Sequence, residues 1–389
     1  MNISSYICTN FIEICAAATW QSAGCSDNYL KKYAQIKYEL ISDKSQELIK
    51  GDNCFDIIRY YLSFIVVFAH FSILSGANNF NWITSSGEAV SGFFILSGFL
   101  VYYSFMKKPQ LNDYIKKRAR RILPPYIFIV FLCFIGGLFL STMTVSEYFT
   151  SPQLYKYIVS NVCFLNFLEP CLPGVFTDNI MPAVNGSLWT MKVEVMLYAS
   201  VPISFYFFKR WNKKIVLLLI FAISISYREC FEYLYDITNN DFYLILGRQM
   251  VSQLVYFYSG TAILMFFDKF QRNIKILLPC ALLIYLFKSE FIVFEYLSPF
   301  AFAIIIIGIA YNFRYLNFIG KYSNVAYGIY LFHFPVIQTI LHYKIHEYSF
   351  SLALALSVFL TIALAIFSWN FIEKPFMRFS AQRQPRGLR

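Results

Sequence analysis

The segment FDIIRYYLSFIVVFAHF, residues Phe55–Phe71, decides the fold. It is mostly apolar and aromatic and is suited to crossing a bilayer, yet it carries Arg59 and His70, two groups that hydrocarbon penalises. Apolar runs of this kind recur along most of the 389 residues, and the chain is 58% hydrophobic, 20% aromatic and only 14% charged. The runs are continuous and do not alternate at period two, which excludes a transmembrane β-barrel. What remains is an all-α, polytopic membrane protein. About ten transmembrane helices are predicted, near 57–75, 88–106, 122–141, 188–207, 214–227, 248–267, 274–288, 291–311, 325–343 and 352–372.

The placement of Lys and Arg predicts the orientation. KKPQLNDYIKKRARR (Lys107–Arg121) carries seven basic residues, KRWNKK (Lys209–Lys214) four, DKFQRNIK (Asp268–Lys275) three, and the chain after Glu373 five. With ten spans all four segments fall on one side, so both termini are expected in the cytoplasm. Topology control accounts for most of the formal net charge of +11 and leaves no basic, aromatic-interleaved surface for nucleic acid. Residues 1–50 begin MNISSYICTNFIEIC, with no basic start and with Glu13, unlike a secretory signal peptide. They are read as a short cytoplasmic leader with a helix near 28–49. Residues 51–380 are expected to form the membrane domain and 381–389 a basic cytoplasmic tail.

The longest stretch between spans, 142–187, is expected on the outer side, broken by Pro152, Pro170, Pro173 and Pro182. The nine cysteines form no CxxC pair, and Cys163, Cys171 and Cys230 are the outward-facing candidates for a disulfide. No internal repeat is evident, which weighs against repeat-built transporters.

Arg59 and His70 are eleven residues apart, almost three full helical turns, so they share one helix face about 16 Å apart along the axis. Each has a bland reading, snorkelling for the arginine and interhelical hydrogen bonding for the histidine, but a shared face suggests a lined cavity. GEAVSGFFILSGFLVYYSF (Gly87–Phe105) is rich in small residues, with Ser91, Gly92 and Gly98 on one face, suited to close helix approach or to a slender ligand such as an acyl-pantetheine arm. KKRARRILPPY (Lys116–Tyr126) packs basic residues against the start of a span, as topology control or as an anion site for nucleotide phosphates. NGSLWTMKVEVMLY (Asn185–Tyr198) places Glu194 within a span, where it would pair with Lys192 or orient and polarise His70. His342 and His346 are spaced i,i+4 but lack a third ligand, so no metal is expected.

These pieces together resemble the acyltransferase-3 family of integral-membrane O-acyltransferases, which includes bacterial O-antigen and other surface-polysaccharide O-acetyltransferases. The resemblance rests on Arg59-x10-His70, SGFFILSGF (Ser91–Phe99), KRARRILPPY (Lys117–Tyr126), GSLWTMKVEVMLY (Gly186–Tyr198), GKYSNVAYGIYLFHFPV (Gly320–Val336) and FIEKPFMRF (Phe371–Phe379), in that order over about 320 residues. The resemblance implies a bacterial inner-membrane enzyme moving an acetyl or other short acyl group from cytoplasmic acetyl-CoA or another acyl-CoA. The acceptor would be a hydroxyl of a glycan or lipid-linked saccharide on the outer side. It implies His70, Glu194 and Arg59 as catalytic, Arg59, Arg118, Arg120, Arg121, Ser97 and Gly98 as donor-binding, and Ser187, Trp189 and His333 as substrate-binding. Two departures stand out: no C-terminal hydrolase-like domain of the kind some members carry is expected, and Lys192 is charged within the fourth-span motif. The rival readings from the residues alone are a transporter or flippase for a lipid-linked sugar or small solute, and a structural subunit of an envelope complex.

Overall fold

The computed structural model describes residues 53–77, 85–316 and 325–381. The expected leader, its helix near 28–49 and almost all of the basic tail lie outside them. The described residues form helices joined by short connections, with no strand among them. Helix α1 (Phe55–Ser75) is anchored at its start by Cys54, whose backbone N–H donates to Ala310 O at 2.9 Å. It stops at Gly76, whose left-handed φ of 71° lets its N–H turn back onto the last carbonyls. Helix α2 (Ser86–Lys107) opens with a Ser85–Glu88 capping box.

Helix α3 (Leu111–Leu140) begins eleven residues before the predicted span, so Arg118, Arg120 and Arg121 stand on the helix and not in a loop. Its Pro124 and Pro125 do not end it. Beyond it the chain makes two short helices, α4 (Val145–Thr150) and α5 (Pro152–Val162), and then an irregular stretch to Asn185. This segment is broken as its prolines predict. The backbone N–H and hydroxyl of Thr144 cap α4 onto Glu147, holding that exposed carboxyl below its usual range.

Five long helices follow: α6 (Trp189–Arg210), α7 (Lys213–Thr238), α9 (Met250–Met265), α10 (Phe267–Leu286) and α11 (Ile292–Asn312), with the short α8 (Asp241–Gly247) between α7 and α9. The expected span at 214–227 is the apolar first half of α7, whose second half carries Arg228, Glu229, Glu232 and Asp236. The loop expected at Asp268–Lys275 is absent: α10 starts at Phe267, bent by 106° from the α8–α9 segment, and bears those basic residues on its first turns. The chain ends in α12 (Ala326–His342), the short α13 (Ile345–Tyr348), α14 (Phe350–Ser368), a π turn (Trp369–Glu373) and α15 (Lys374–Ala381).

Helices thus occupy all ten expected segments. Among the described residues six stretches are long and apolar enough to cross a membrane, or up to seven if the bent pair is one span. The protein is an all-α integral membrane protein. Its tightest contact joins α2 to α9: a Cβ on Gly98 would strike the Phe257 carbonyl, one on Gly260 the Ile95 carbonyl, and Thr261 donates to Gly98 O at 2.9 Å. This is the close approach that small residues permit between helices in lipid. It also corrects the reading of Gly98 as a donor-binding residue, because its open face is filled by α9. Helices α1 and α12 meet through the fully buried Ser63, which donates to Arg59 O and Ala326 O at 2.8 and 2.9 Å.

Candidate active site

Helices α1, α2, α3, α6, α12 and the π turn enclose a cavity of about 460 Å³. One end is built from cations. Arg59 on α1 reaches it paired with Asp56 at 2.5 Å, one turn away on its own helix. Arg121 on α3 pairs with the buried Glu373 at 3.1 Å, and its guanidinium lies 5.3 and 5.9 Å from the ring centres of Tyr327 and Trp369. Arg118 sits 5.8 Å from both the Tyr114 and Tyr198 rings, and its buried Nε has no hydrogen-bond partner. Arg120 does not line the cavity.

Glu194 and Tyr198, one turn apart on α6, line the same end, and the Tyr198 hydroxyl donates to the Glu194 carboxylate. Ser97 faces them from α2, 3.4 Å from the Tyr198 oxygen. Glu194 therefore does not orient His70, and Lys192 does not pair with it, lying 4.5 Å from the Phe167 ring centre instead. An i,i+4 carboxylate–phenol pair was readable in the spacing of Glu194 and Tyr198.

At its other end the cavity is walled by Phe93, Thr190 and Tyr330; neither His70 nor His333 lines it, but His333 packs behind Tyr330 with ring centres 5.8 Å apart, and His70 joins it from α1. His70 Nδ1 is 3.0 Å from its own helix's Val66 O and 3.0 Å from His333 Nε2. His333, fully buried, has its Nδ1 2.7 Å from Tyr330 O. The edge of the Phe334 ring packs on His70 at 5.4 Å. Carbonyl oxygens only accept, so the Nδ1 of a neutral His70 carries the hydrogen and its Nε2 keeps a lone pair. His333 is thereby a partner of His70 and not a substrate contact.

The segment between α5 and α6 locks this end. Pro335 lacks an N–H for Leu331 O, and the Asn185 amide supplies one at 3.0 Å. Ser187, buried, donates to Asn185 at 2.7 Å, and Thr190 lies 2.6 Å from the Tyr330 hydroxyl. Two turns further, the Gln338 amide donates to Met181 O and Ala183 O and accepts from Asn179. Ser187 and Trp189 do not line the cavity, and the Ser187 hydroxyl is engaged in this lock.

The sequence reading missed Glu373 and Trp369. A π turn carries both and breaks the 3.6-residue period by which a helix face is read. Cys163, Cys171 and Cys230 are unpaired thiols. Lys344, at φ 55°, separates His342 from His346, so the two do not share a helix face.

The sequence profile of a family described as an acyltransferase domain matches residues 52–370. The chain is 27% identical over 340 residues to an O-acetyl transferase of Shigella phage Sf6, covering 85% of this chain and 98% of that protein. It is 23% identical over 362 residues to nodulation protein 10 of Rhizobium leguminosarum bv. viciae, covering 86% and 96%. It is 25% identical over 335 residues to the peptidoglycan O-acetyltransferase OatA of Listeria monocytogenes serovar 1/2a, covering 76% of this chain and 52% of that one. No solved structure matches it. With the match running through both ends of the cavity, from Arg59 and His70 to Trp369, the chain belongs to the acyltransferase-3 family and is an integral-membrane O-acyltransferase.

Proposed function

We propose that the protein moves an acetyl or other short acyl group from acyl-CoA to a hydroxyl of a cell-surface glycan, such as O-antigen, capsule or exopolysaccharide, or its lipid-linked precursor. The observation that carries this reading is one cavity with arginines at one end and, behind Tyr330 at the other, a hydrogen-bonded histidine pair. The transporter reading loses its support to the family membership, since a transporter needs no group-transfer chemistry.

In this reading Arg118, Arg121 and Arg59 bind the CoA phosphates, and the unpartnered Nε of Arg118 is a donor suited to an anion. Ser97 and Tyr198 line the path of the pantetheine arm. His70 Nε2 takes the proton of the acceptor hydroxyl as that oxygen attacks the thioester carbonyl. The C–S bond breaks, and the CoA thiolate leaves with the proton returned from His70. The chain lies in a bacterial inner membrane with ten spans and both termini in the cytoplasm. That orientation follows the basic segments and sets the arginine end on the side where acyl-CoA is found.

The test is acetyl transfer by purified protein in lipid nanodiscs, with labelled acetyl-CoA and a membrane fraction carrying the glycan. Label appearing as an alkali-labile ester on the glycan supports the proposal. Acetyl-CoA neither bound nor consumed, with the glycan present, contradicts it.

A further inference from the structure

We infer that His333 is a positioning residue for this reaction: its Nε2 accepts the Nδ1–H of His70 and keeps the His70 Nε2 bare. The inference rests on the reading of His70 as the base and assigns the group that holds it ready.

The hydrogen-bond chain has a backbone carbonyl at each end. Tyr330 O, 2.7 Å from His333 Nδ1, can only accept, so that nitrogen is an N–H. In a neutral ring His333 Nε2 is then a lone pair, and it faces His70 Nδ1 at 3.0 Å. Val66 O, 3.0 Å from the same His70 nitrogen, also only accepts. With both rings neutral the protons have one consistent arrangement, hydrogen on each Nδ1 and none on either Nε2. A charged His333 would set its Nε2–H against the hydrogen that Val66 O holds on His70 Nδ1.

The arrangement is rigid. His333 is fully buried, its neighbour Phe334 packs on His70, and Asn185 satisfies the carbonyl left free by Pro335 two residues on. In other histidine-based sites a carboxylate takes this place, but the carboxylate nearest in sequence reasoning, Glu194, is bonded to Tyr198. When His70 Nε2 takes the acceptor's proton, the imidazolium keeps its Nδ1–H on His333. That proton stays in place, and the one on Nε2 goes to the departing thiolate.

The chain has four histidines, so ¹⁵N-histidine labelling in nanodiscs resolves them, with His70 assigned by its loss in His70→Ala. Wild-type His70 is expected neutral with hydrogen on Nδ1. His333→Leu leaves only Val66 O to accept that hydrogen, so the share of His70 with hydrogen on Nδ1 should fall and kcat drop about 10- to 150-fold, the worth of one hydrogen bond to a charged group, with the acyl-CoA KM unchanged. His333→Gln, whose amide oxygen can accept from His70, should restore the Nδ1–H signal and most of the rate. Hydrogen on Nε2 in wild-type His70 overturns the inference without any variant, even if His333→Leu fails to fold. So do a His333→Leu protein with unchanged tautomer and rate, and a His333→Gln protein no better than Leu. Should His70→Ala still transfer acyl groups, the reading of His70 as base fails. Should His70→Ala be inactive while the two His333 variants match each other, only the inference about His333 fails.

Discussion

The two ends of α1 solve opposite problems. At the Arg59 end charge is admitted and matched, Arg59 by Asp56, Arg121 by Glu373, and Arg118 by aromatic faces. At the His70 end no charged side chain among the described residues pairs with either histidine; two rings, two carbonyls and Phe334 make the contacts. Held ions suit binding of a highly charged donor, because exchanging one anion for another costs less than burying a bare cation. A neutral imidazole with a fixed tautomer suits proton transfer, because its free nitrogen needs no rearrangement before it accepts. In the proposed reading the helix joins a donor-binding end to a proton-transfer end about 16 Å apart, a distance that a slender pantetheine arm can span.

The comparison predicts that variants sort by end. The largest effect belongs to His70→Ala: kcat should fall on the order of 10²- to 10⁴-fold with the acyl-CoA KM unchanged, read in steady-state assays on nanodisc protein. Next comes Arg118→Ala, where loss of a charge-assisted contact to phosphate should raise the acyl-CoA KM about 10- to 150-fold and leave kcat within a factor of a few. Acetyl-pantetheine, which lacks the nucleotide, should not distinguish Arg118→Ala from wild type. Glu194→Gln separates the ends more finely. If Glu194 held His70 in its tautomer, the change would cost about 10⁴-fold, as the loss of an orienting carboxylate does elsewhere. Bonded to Tyr198, where an amide oxygen still accepts, it should cost less than about tenfold in kcat/KM. The smallest effect is that of Ser187→Ala, which should lower stability by about 1 kcal/mol in a thermal unfolding assay and leave the acceptor KM unchanged.

Much of this was legible in the sequence because hydrophobic runs, basic segments and spacing within one helix are local properties. The ten helical segments, the basic cluster at Lys116–Arg121 and the shared face of Arg59 and His70 follow from such properties. What one helix meets on another is not local. The partner of His70 lies 263 residues away on α12, and nothing in the spacing of either segment favours His333 over Glu194. Gly98 was ambiguous for the same reason: a small residue permits both a ligand and a neighbouring helix, and α9 fills the space. Ser187 was read as substrate-binding from the family resemblance, but its hydroxyl serves the contact that compensates Pro335. The boundary of α3 was missed because an apolar window cannot see a helix whose first turns are charged.

The most direct test of the two-ended account measures donor binding and acyl transfer separately on one preparation of the His70→Ala protein in nanodiscs. Acyl-CoA should bind at wild-type affinity and transfer to the glycan should fall at least about 100-fold. Transfer at the wild-type rate by correctly inserted His70→Ala protein would contradict it.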